Sequence, residues 1–242
     1  MPSNRPLIRF ASRALASALL CFLHPGCIAF SQQTPNTSVA DLRAILARMN
    51  DAASRVRTVS ASLEYTTVTV LVNDRTTEYG KLLYRSGKKT AILIHFEKPD
   101  PKFILFKKHR AQIYLPRTNQ VQEYDLGRKS GLLQQFLLLG FGTDVDQLEA
   151  SYRVKYLREA EVGNKPAVVL ELTPREKAVA AQLTKVDLSV SRTSWLPVEQ
   201  QFYEASGDYL IARYRKMEIN RPLAASTFRL HASKSAERVR MN

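Results

Sequence analysis

The sequence is poor in the residues that carry most nucleophilic and metal chemistry. Its 242 residues include only two cysteines, Cys21 and Cys27, both within the first thirty positions. Of its four histidines, three lie beyond that region, and His95, His109 and His231 do not have the spacing of metal ligands. No glycine-rich phosphate loop and no Gly-x-Ser-x-Gly nucleophile elbow is present. We therefore expect no metal, no cofactor and no enzymatic activity.

Glycine and proline are also infrequent, at 9 and 11 residues, and no internal repeat is found. This excludes collagen-like, low-complexity and solenoid architectures. A hydrophobic content of 45% is sufficient for one domain with its own core. The closely spaced acids Asp144 and Asp146 are better explained as partners of a helix N-terminus than as an acid–base pair.

The first 31 residues have the pattern of a secretory signal peptide. Three arginines and no acidic residue open the chain, and an apolar run extends from Ala14 to Phe30. Small side chains near Ser31 complete the pattern of a cleavage site. We predict cleavage after Ser31, which leaves residues 32–242 as the mature domain in the periplasm.

Cleavage has two alternatives. A membrane anchor is disfavoured because Leu23-His24-Pro25-Gly26 interrupts the apolar run, and a span needs about 20 residues. Lipid attachment at Cys21 or Cys27 is the second alternative and stays open.

Cleavage removes three arginines and no acidic residue, so the net charge falls from +14 to +11. Anionic lipid or an acidic protein suits such a secreted surface, and we expect no nucleic acid partner.

Hydrophobic periodicity predicts an α+β chain. Apolar residues at helical spacing predict one amphipathic helix over residues 39–57. The period then changes to two, which predicts an antiparallel meander as far as residue 124 and further strands between residues 152 and 219. The remaining expectations are a short helix at 174–182, a last strand near 227–231 and a mobile basic tail from residue 234.

The most apolar stretch lies between the two runs of strands. Residues 130–142 read SGLLQQFLLLGFG and contain no β-branched residue, which favours a helix. A helix that is apolar on all sides is either enclosed in a core or covers an apolar cavity. Its insertion within a β-meander favours a lid. The lid residues that we predict are Leu132, Leu133, Phe136, Leu137 and Leu139.

Several strands are apolar on both faces, so that one face can meet the helices and the other can line a hollow. An acyl chain gains about 0.8 kcal/mol per buried methylene, so a hollow of this kind suits lipid. The cavity residues that we predict are Leu63, Tyr65, Ile92, Ile94, Phe96, Leu105 and Tyr114.

A set of short motifs follows in order along the chain: Val59-x-Ala61-x-Leu63-x-Tyr65, Gly80-x-Leu82, Phe96-x-x-Pro99, Ile113-Tyr114-x-Pro116, Leu172-Thr173-Pro174 and Leu196-Pro197. With these motifs, residues 39–231 resemble the LolA type of periplasmic outer-membrane lipoprotein carrier. The resemblance implies an incomplete, strongly curved antiparallel β-barrel of about 10–11 strands. An N-terminal helix and a helical lid over an apolar cavity complete the expected fold.

The same resemblance implies a function. A monomeric carrier accepts acylated lipoproteins from an inner-membrane transporter, shields their chains and passes them to an outer-membrane acceptor. In the family a basic residue after the second strand bonds the lid shut. Arg85 is the candidate for this latch, with Lys88 as the alternative, because the usual proline is missing here. A periplasmic regulator that senses lipid or lipoprotein is the alternative function, and a lipid-modifying enzyme is the third.

Overall fold

The structure is a computed structural model that describes residues 39–87, 90–127, 141 and 144–241. The predicted signal peptide, with Cys21 and Cys27, and Lys88 lie outside the described residues. So do the lid residues Leu132, Leu133, Phe136, Leu137 and Leu139.

The described residues form one large sheet with short helices. The first six strands are β1 (Thr58–Thr69), β2 (Asp74–Arg85), β3 (Ala91–Lys98), β4 (Lys102–Lys107), β5 (Arg110–Leu115) and β6 (Gln120–Asp125). The other six are β7 (Tyr152–Glu161), β8 (Pro166–Pro174), β9 (Leu183–Ser191), β10 (Pro197–Glu204), β11 (Tyr209–Ile219) and β12 (Glu237–Met241). The helices are α1 (Val39–Ser54), α2 (Val145–Ser151) and α3 (Lys177–Ala180), with a 3-10 turn at Ala225–Phe228.

Two antiparallel meanders are joined side by side. The order across the sheet is β12-β6-β5-β4-β3-β2-β1-β11-β10-β9-β8-β7, so β1 pairs with β11 and closes the second meander onto the first. All neighbours are antiparallel except β12, which runs parallel to β6. Register shifts interrupt several ladders, including β2–β3 between Tyr79 and Gly80. Such bulges increase local twist and bend the strands, which curves a sheet of this size.

Alternation along the strands defines two faces. We call inner the face that α1 covers and outer the opposite face. Ile45, Leu46 and Met49 of α1 are buried against the inner side chains of β8, β9 and β10. Their spacing is the helical apolar stripe expected from the sequence, although the helix ends at Ser54 rather than at residue 57.

Three expectations for the fold need correction. The sheet has twelve strands instead of 10–11, and it is not wholly antiparallel. The strand expected near 227–231 is instead a 3-10 turn that ends in buried Phe228. The helix expected over 174–182 is shortened to α3, because Pro174 still belongs to β8.

The basic C-terminal tail is ordered, whereas the sequence suggested mobility. Residues 237–241 form β12, and Arg238 pairs with Glu123 of β6 at 2.7 Å. This pairing joins positions more than one hundred residues apart, which local sequence patterns do not reveal.

Candidate functional site

The inner face of the sheet is packed on one side and hollow in the middle. Below α1 and α2, the inner residues of β8–β10 form a continuous apolar cluster. Between β1–β4 and β10–β11 lies a cavity of about 410 Å³. Its volume falls within the range of about 300–1,000 Å³ that is typical of small-ligand sites. This cavity is the candidate site.

The cavity walls are mostly aliphatic and aromatic. One wall comes from β1, β3 and β4, through Leu63, Tyr65, Ile94, Phe96, Ile104 and Phe106. The facing wall comes from β9, β10 and β11, through Leu183, Phe202, Leu210, Ala212 and Tyr214. Strand pairing explains the first wall, because Leu82, Ile94 and Ile104 are successive cross-strand partners on one face.

One end of the cavity is polar. Lys102 forms an ion pair with Glu78 at 2.7 Å, and its ammonium group also lies 4.6 Å above the ring of Phe96. Glu204 contributes a second carboxylate to the same end. Burial, with the negative charges of Glu78 and Glu204, raises the pKa of the Tyr65 hydroxyl to about 12. An apolar chamber with a polar end suits an amphipathic ligand better than a purely polar one.

A buried hydrogen bond fixes part of the facing wall. The Tyr214 hydroxyl donates to Oε1 of Gln200 over 2.9 Å, and both side chains are buried. Burial raises the pKa of Tyr214 well above its usual value, so this hydroxyl stays a neutral donor. Phe141, which follows the predicted lid, packs edge-on against Tyr214 with ring centroids 4.8 Å apart. Phe141 is thereby fixed beside the cavity.

Five of the seven predicted cavity residues lie on the inner face, and four of these line the cavity. Leu63, Tyr65, Ile94 and Phe96 line the cavity. Ile92 also lies on the inner face and belongs to the same buried cluster as Leu63, Ile94 and Phe96, but it does not line the cavity.

Leu105 and Tyr114 were placed in the cavity incorrectly. Leu105 alternates with the lining residues of β4 and packs on the outer face with Leu93 and Phe228. Tyr114 pairs across the strands with Phe103, its ring stacked on that residue at 6.0 Å, on the same outer face. The error arose because these strands are apolar on both sides, so alternation does not tell which side is hollow.

Arg85 also lies on the outer face. Its guanidinium carbon is 4.8 Å from the centre of the Phe228 ring, a cation–π arrangement. In β2 it alternates with Leu82 and Tyr84, whose side chains face inward. This position connects Arg85 to the C-terminal segment, and its role as lid latch stays a prediction.

The sequence predicted four of the seventeen residues that line the cavity and missed the others. Phe202, Leu210 and Tyr214 belong to β10 and β11, which the sequence predicted only as strands. The signal available in the sequence was the spacing of Leu210, Ala212 and Tyr214 at every second position. Their proximity to Leu63, however, depends on the pairing of β1 with β11. That pairing joins residues about 150 positions apart.

The acidic pair Asp144 and Asp146 lies at the start of a helix. Asp144 caps α2, because its Oδ1 accepts a hydrogen bond from the backbone N–H of Asp146 over 3.0 Å. This is the helix-terminus role that the sequence indicated for the acidic pair.

Across the described ranges, no group of three or more His, Cys, Asp or Glu side chains is arranged to hold a metal ion. Within the same ranges, no helix has the length and apolar character needed to cross a membrane.

Solved structures share this fold at low sequence identity. An uncharacterized conserved protein from Thermus thermophilus is 13% identical, with a TM-score of 0.53 over 83% of this chain and 99% of that one. MucB is 18% identical, with a TM-score of 0.51 over 80% of this chain. The match covers 64% of the MucB chain, so this protein spans less than two thirds of its length. The lipoprotein LppX from Mycobacterium tuberculosis is 13% identical, with a TM-score of 0.50 and coverages of 77% and 99%.

These likenesses define the class as a curved, mostly antiparallel open-sheet protein that shares its fold with MucB and LppX. A LolA superfamily protein from Nitrosomonas europaea is among the matches, although its TM-score of 0.39 is too low to support an argument. No curated protein matches the sequence. Residues 88–221 match a protein family described as "Uncharacterized protein". Because the match covers more than half of the 242 residues, the chain belongs to this family.

Proposed function

We propose that the protein is a non-enzymatic periplasmic binding protein for acyl chains, with the acylated end of a lipoprotein as its cargo. The apolar cavity carries this proposal. Its two walls come from opposite halves of the sheet and contain Phe96, Ile104 and Phe202 among other apolar residues. Burying ten methylenes there is worth roughly 8 kcal/mol, the free energy of a micromolar Kd.

The polar end supports an amphipathic cargo. Glu78, Lys102 and Glu204 lie beside the apolar walls, where the polar linkage of an acylated molecule would meet charged groups instead of hydrocarbon. Delivery from an inner-membrane transporter to an outer-membrane acceptor is the finer form of the proposal. It rests on the sequence resemblance to the LolA type.

A lid is also part of the proposal. Its residues Leu132, Leu133, Phe136, Leu137 and Leu139 lie outside the described residues. The contact of Phe141 with Tyr214 supports placing the segment beside the cavity. If the segment covers the acyl chains, Leu133→Glu or Phe136→Glu will weaken their retention, because a carboxylate then faces hydrocarbon.

The test is uptake of a fluorescent fatty-acyl probe by purified residues 32–242. The parent protein is expected to bind the probe, and Ala212→Phe to weaken binding at least about tenfold by filling the space between the walls. Ala160→Phe is the matched control, because Ala160 lines a polar groove on the outer face. Lack of uptake by the folded parent protein would refute the proposal. Equal binding by both variants would place the ligand elsewhere.

A regulator is the second candidate function. MucB, whose fold this chain resembles, has been solved in complex with MucA. The two candidates are separated by the molecules that co-purify with the protein from a periplasmic extract. Recovery of lipoproteins supports the carrier, and recovery of a membrane signalling protein without lipoproteins supports the regulator.

A further inference from the structure

The tip of the β1–β2 hairpin exposes three consecutive apolar side chains. Val70 is 53% exposed, Leu71 93% and Val72 68%. The turn is well defined, because the N–H of Asn73 donates to the carbonyl of Val70 over 3.2 Å. It is also held at its base, where the Val70 N–H donates to Oδ1 of Asp208 over 2.9 Å. The tip therefore presents a fixed aliphatic surface to solvent.

The hairpin projects beyond β3 on one side, while on its other side β1 stays paired with β11 as far as Val68 and Tyr209. The last β2–β3 partners are Tyr79 and Lys98, so residues 74–78 of β2 extend past the end of β3. Five residues of strand correspond to roughly 16 Å. Leu71 at the end of this projection is consequently free to reach a surface before the rest of the first meander does.

The projection begins at the polar end of the cavity. Tyr65 and Glu78 are cross-strand partners, and both line the cavity. The same two strands continue from there to the tip. A surface touched by Leu71 would thus lie beyond the same end of the cavity at which Lys102 and Glu204 are placed.

The shape and chemistry of the tip indicate a lipid bilayer as its partner. A stable protein interface buries about 800 Å² on each side, and its strongest contacts usually come from Trp, Tyr or Arg. One turn with three aliphatic side chains offers far less area and none of those residues. Aliphatic side chains at a narrow tip are instead suited to enter hydrocarbon, where no complementary pocket is required. The net charge of +11 on residues 32–242 adds long-range attraction to anionic lipid.

We propose that this tip is a membrane-contact element, which inserts Val70, Leu71 and Val72 into the bilayer and holds the polar end of the cavity near the membrane surface. The proposal goes beyond the binding of acyl chains, because it concerns the surface from which such chains come. It is testable without any ligand in the cavity.

The first experiment is flotation of the protein with vesicles made of equal parts of phosphatidylethanolamine and phosphatidylglycerol. The parent protein is expected to float with the vesicles. The V70S/L71S/V72S variant should lose this association at least about tenfold, because serine removes the apolar surface. Met241→Ser is the control, since Met241 is another exposed apolar residue, at the other end of the sheet. Equal flotation of the parent protein and the tip variant would overturn the proposal.

The second experiment measures insertion directly. The sequence has one tryptophan, Trp195, in the β9–β10 turn at the opposite end of the strands. Leu71→Trp therefore adds a reporter whose emission should shift to the blue with vesicles and be quenched by lipids brominated in their acyl chains. Met241→Trp should show neither effect. Unchanged emission from L71W in the presence of vesicles would also overturn the proposal.

Uptake of the fatty-acyl probe from solution separates this proposal from the proposed function. The V70S/L71S/V72S variant should bind the probe as the parent protein does, because none of the three residues lines the cavity. A parent protein that floats but binds no probe would refute acyl-chain binding and leave the membrane contact supported.

Discussion

Gly80 is expected to be intolerant of any side chain, and Gly80→Ala gives a direct test of the β2–β3 pairing. A β-carbon at position 80 would stand 2.1 Å from the carbonyl oxygen of His95 and 2.8 Å from Cα of Phe96. Ordinary contacts begin at 3.4 Å, so the strands must separate by more than 1 Å. Both opposing atoms belong to the backbone, and no side-chain rotation can relieve the clash.

The expected loss of stability follows from two opposing effects. Overpacking of this kind costs about 3 kcal/mol, at the upper end of the usual range. Alanine recovers about 0.4–1 kcal/mol by restricting the unfolded chain. The net loss is therefore about 2 kcal/mol, which lowers Tm by roughly 4–8 °C for a domain of this size. Thermal unfolding followed by circular dichroism measures it.

Gly127→Ala is the matched control. Its added β-carbon meets nothing within 4 Å, although the residue has a φ of +44°. The cost of about 1 kcal/mol for that backbone conformation is nearly offset by the restriction of the unfolded chain. If Gly80→Ala melts at the temperature of the parent protein, the close approach of β2 and β3 is wrong. The placement of Phe96 in the cavity wall would then also be in doubt.

Two further predictions concern burial. Phe228→Ala should lower the free energy of unfolding, measured with urea, by about 3–5 kcal/mol, because Phe228 is fully buried between Arg85 and the outer face of the sheet. A variant as stable as the parent protein would show that the C-terminal segment does not pack on this face. The Tyr65 hydroxyl should ionise near pH 12 in the folded protein and near pH 10 in the unfolded chain, because burial raises its pKa. The stability that this neutral hydroxyl contributes is therefore present below about pH 10 and is lost as the pH rises through about 12. In an absorbance titration, Tyr65→Phe should remove a late-ionising tyrosine, and loss of an early one would contradict the burial of this hydroxyl.

Much of the local structure follows from sequence patterns that need no distant partner. The helical stripe of Ile45, Leu46 and Met49 and the alternation in β1 each reflect one face of an element turned toward apolar neighbours. Likewise, the turn at Asn73 follows from residues that tolerate a positive φ. These patterns were sufficient to predict α1, eleven of the twelve strands and the antiparallel meanders.

The site was only partly predictable, because its strands are apolar on both faces. Phe96 and Leu105 are both large apolar residues in strands that are apolar on both faces. Phe96 nevertheless lines the cavity, whereas Leu105 packs beneath the C-terminal segment. The outer face of these strands is covered by the C-terminal segment, and the cavity lies on the inner face. That cover is supplied by Phe228, more than one hundred residues further along the chain.

The sequence by itself determined most of the secondary structure and the apolar character of the interior, because both depend mainly on neighbours within a few positions. Tertiary structure alone decided that β1 pairs with β11, that β12 adds a parallel edge strand, and that Arg85 lies on the outer face. Each of these joins segments far apart in the chain, and no local periodicity encodes the partner. The cavity exists because two meanders meet at β1 and β11 without filling the space between their inner faces.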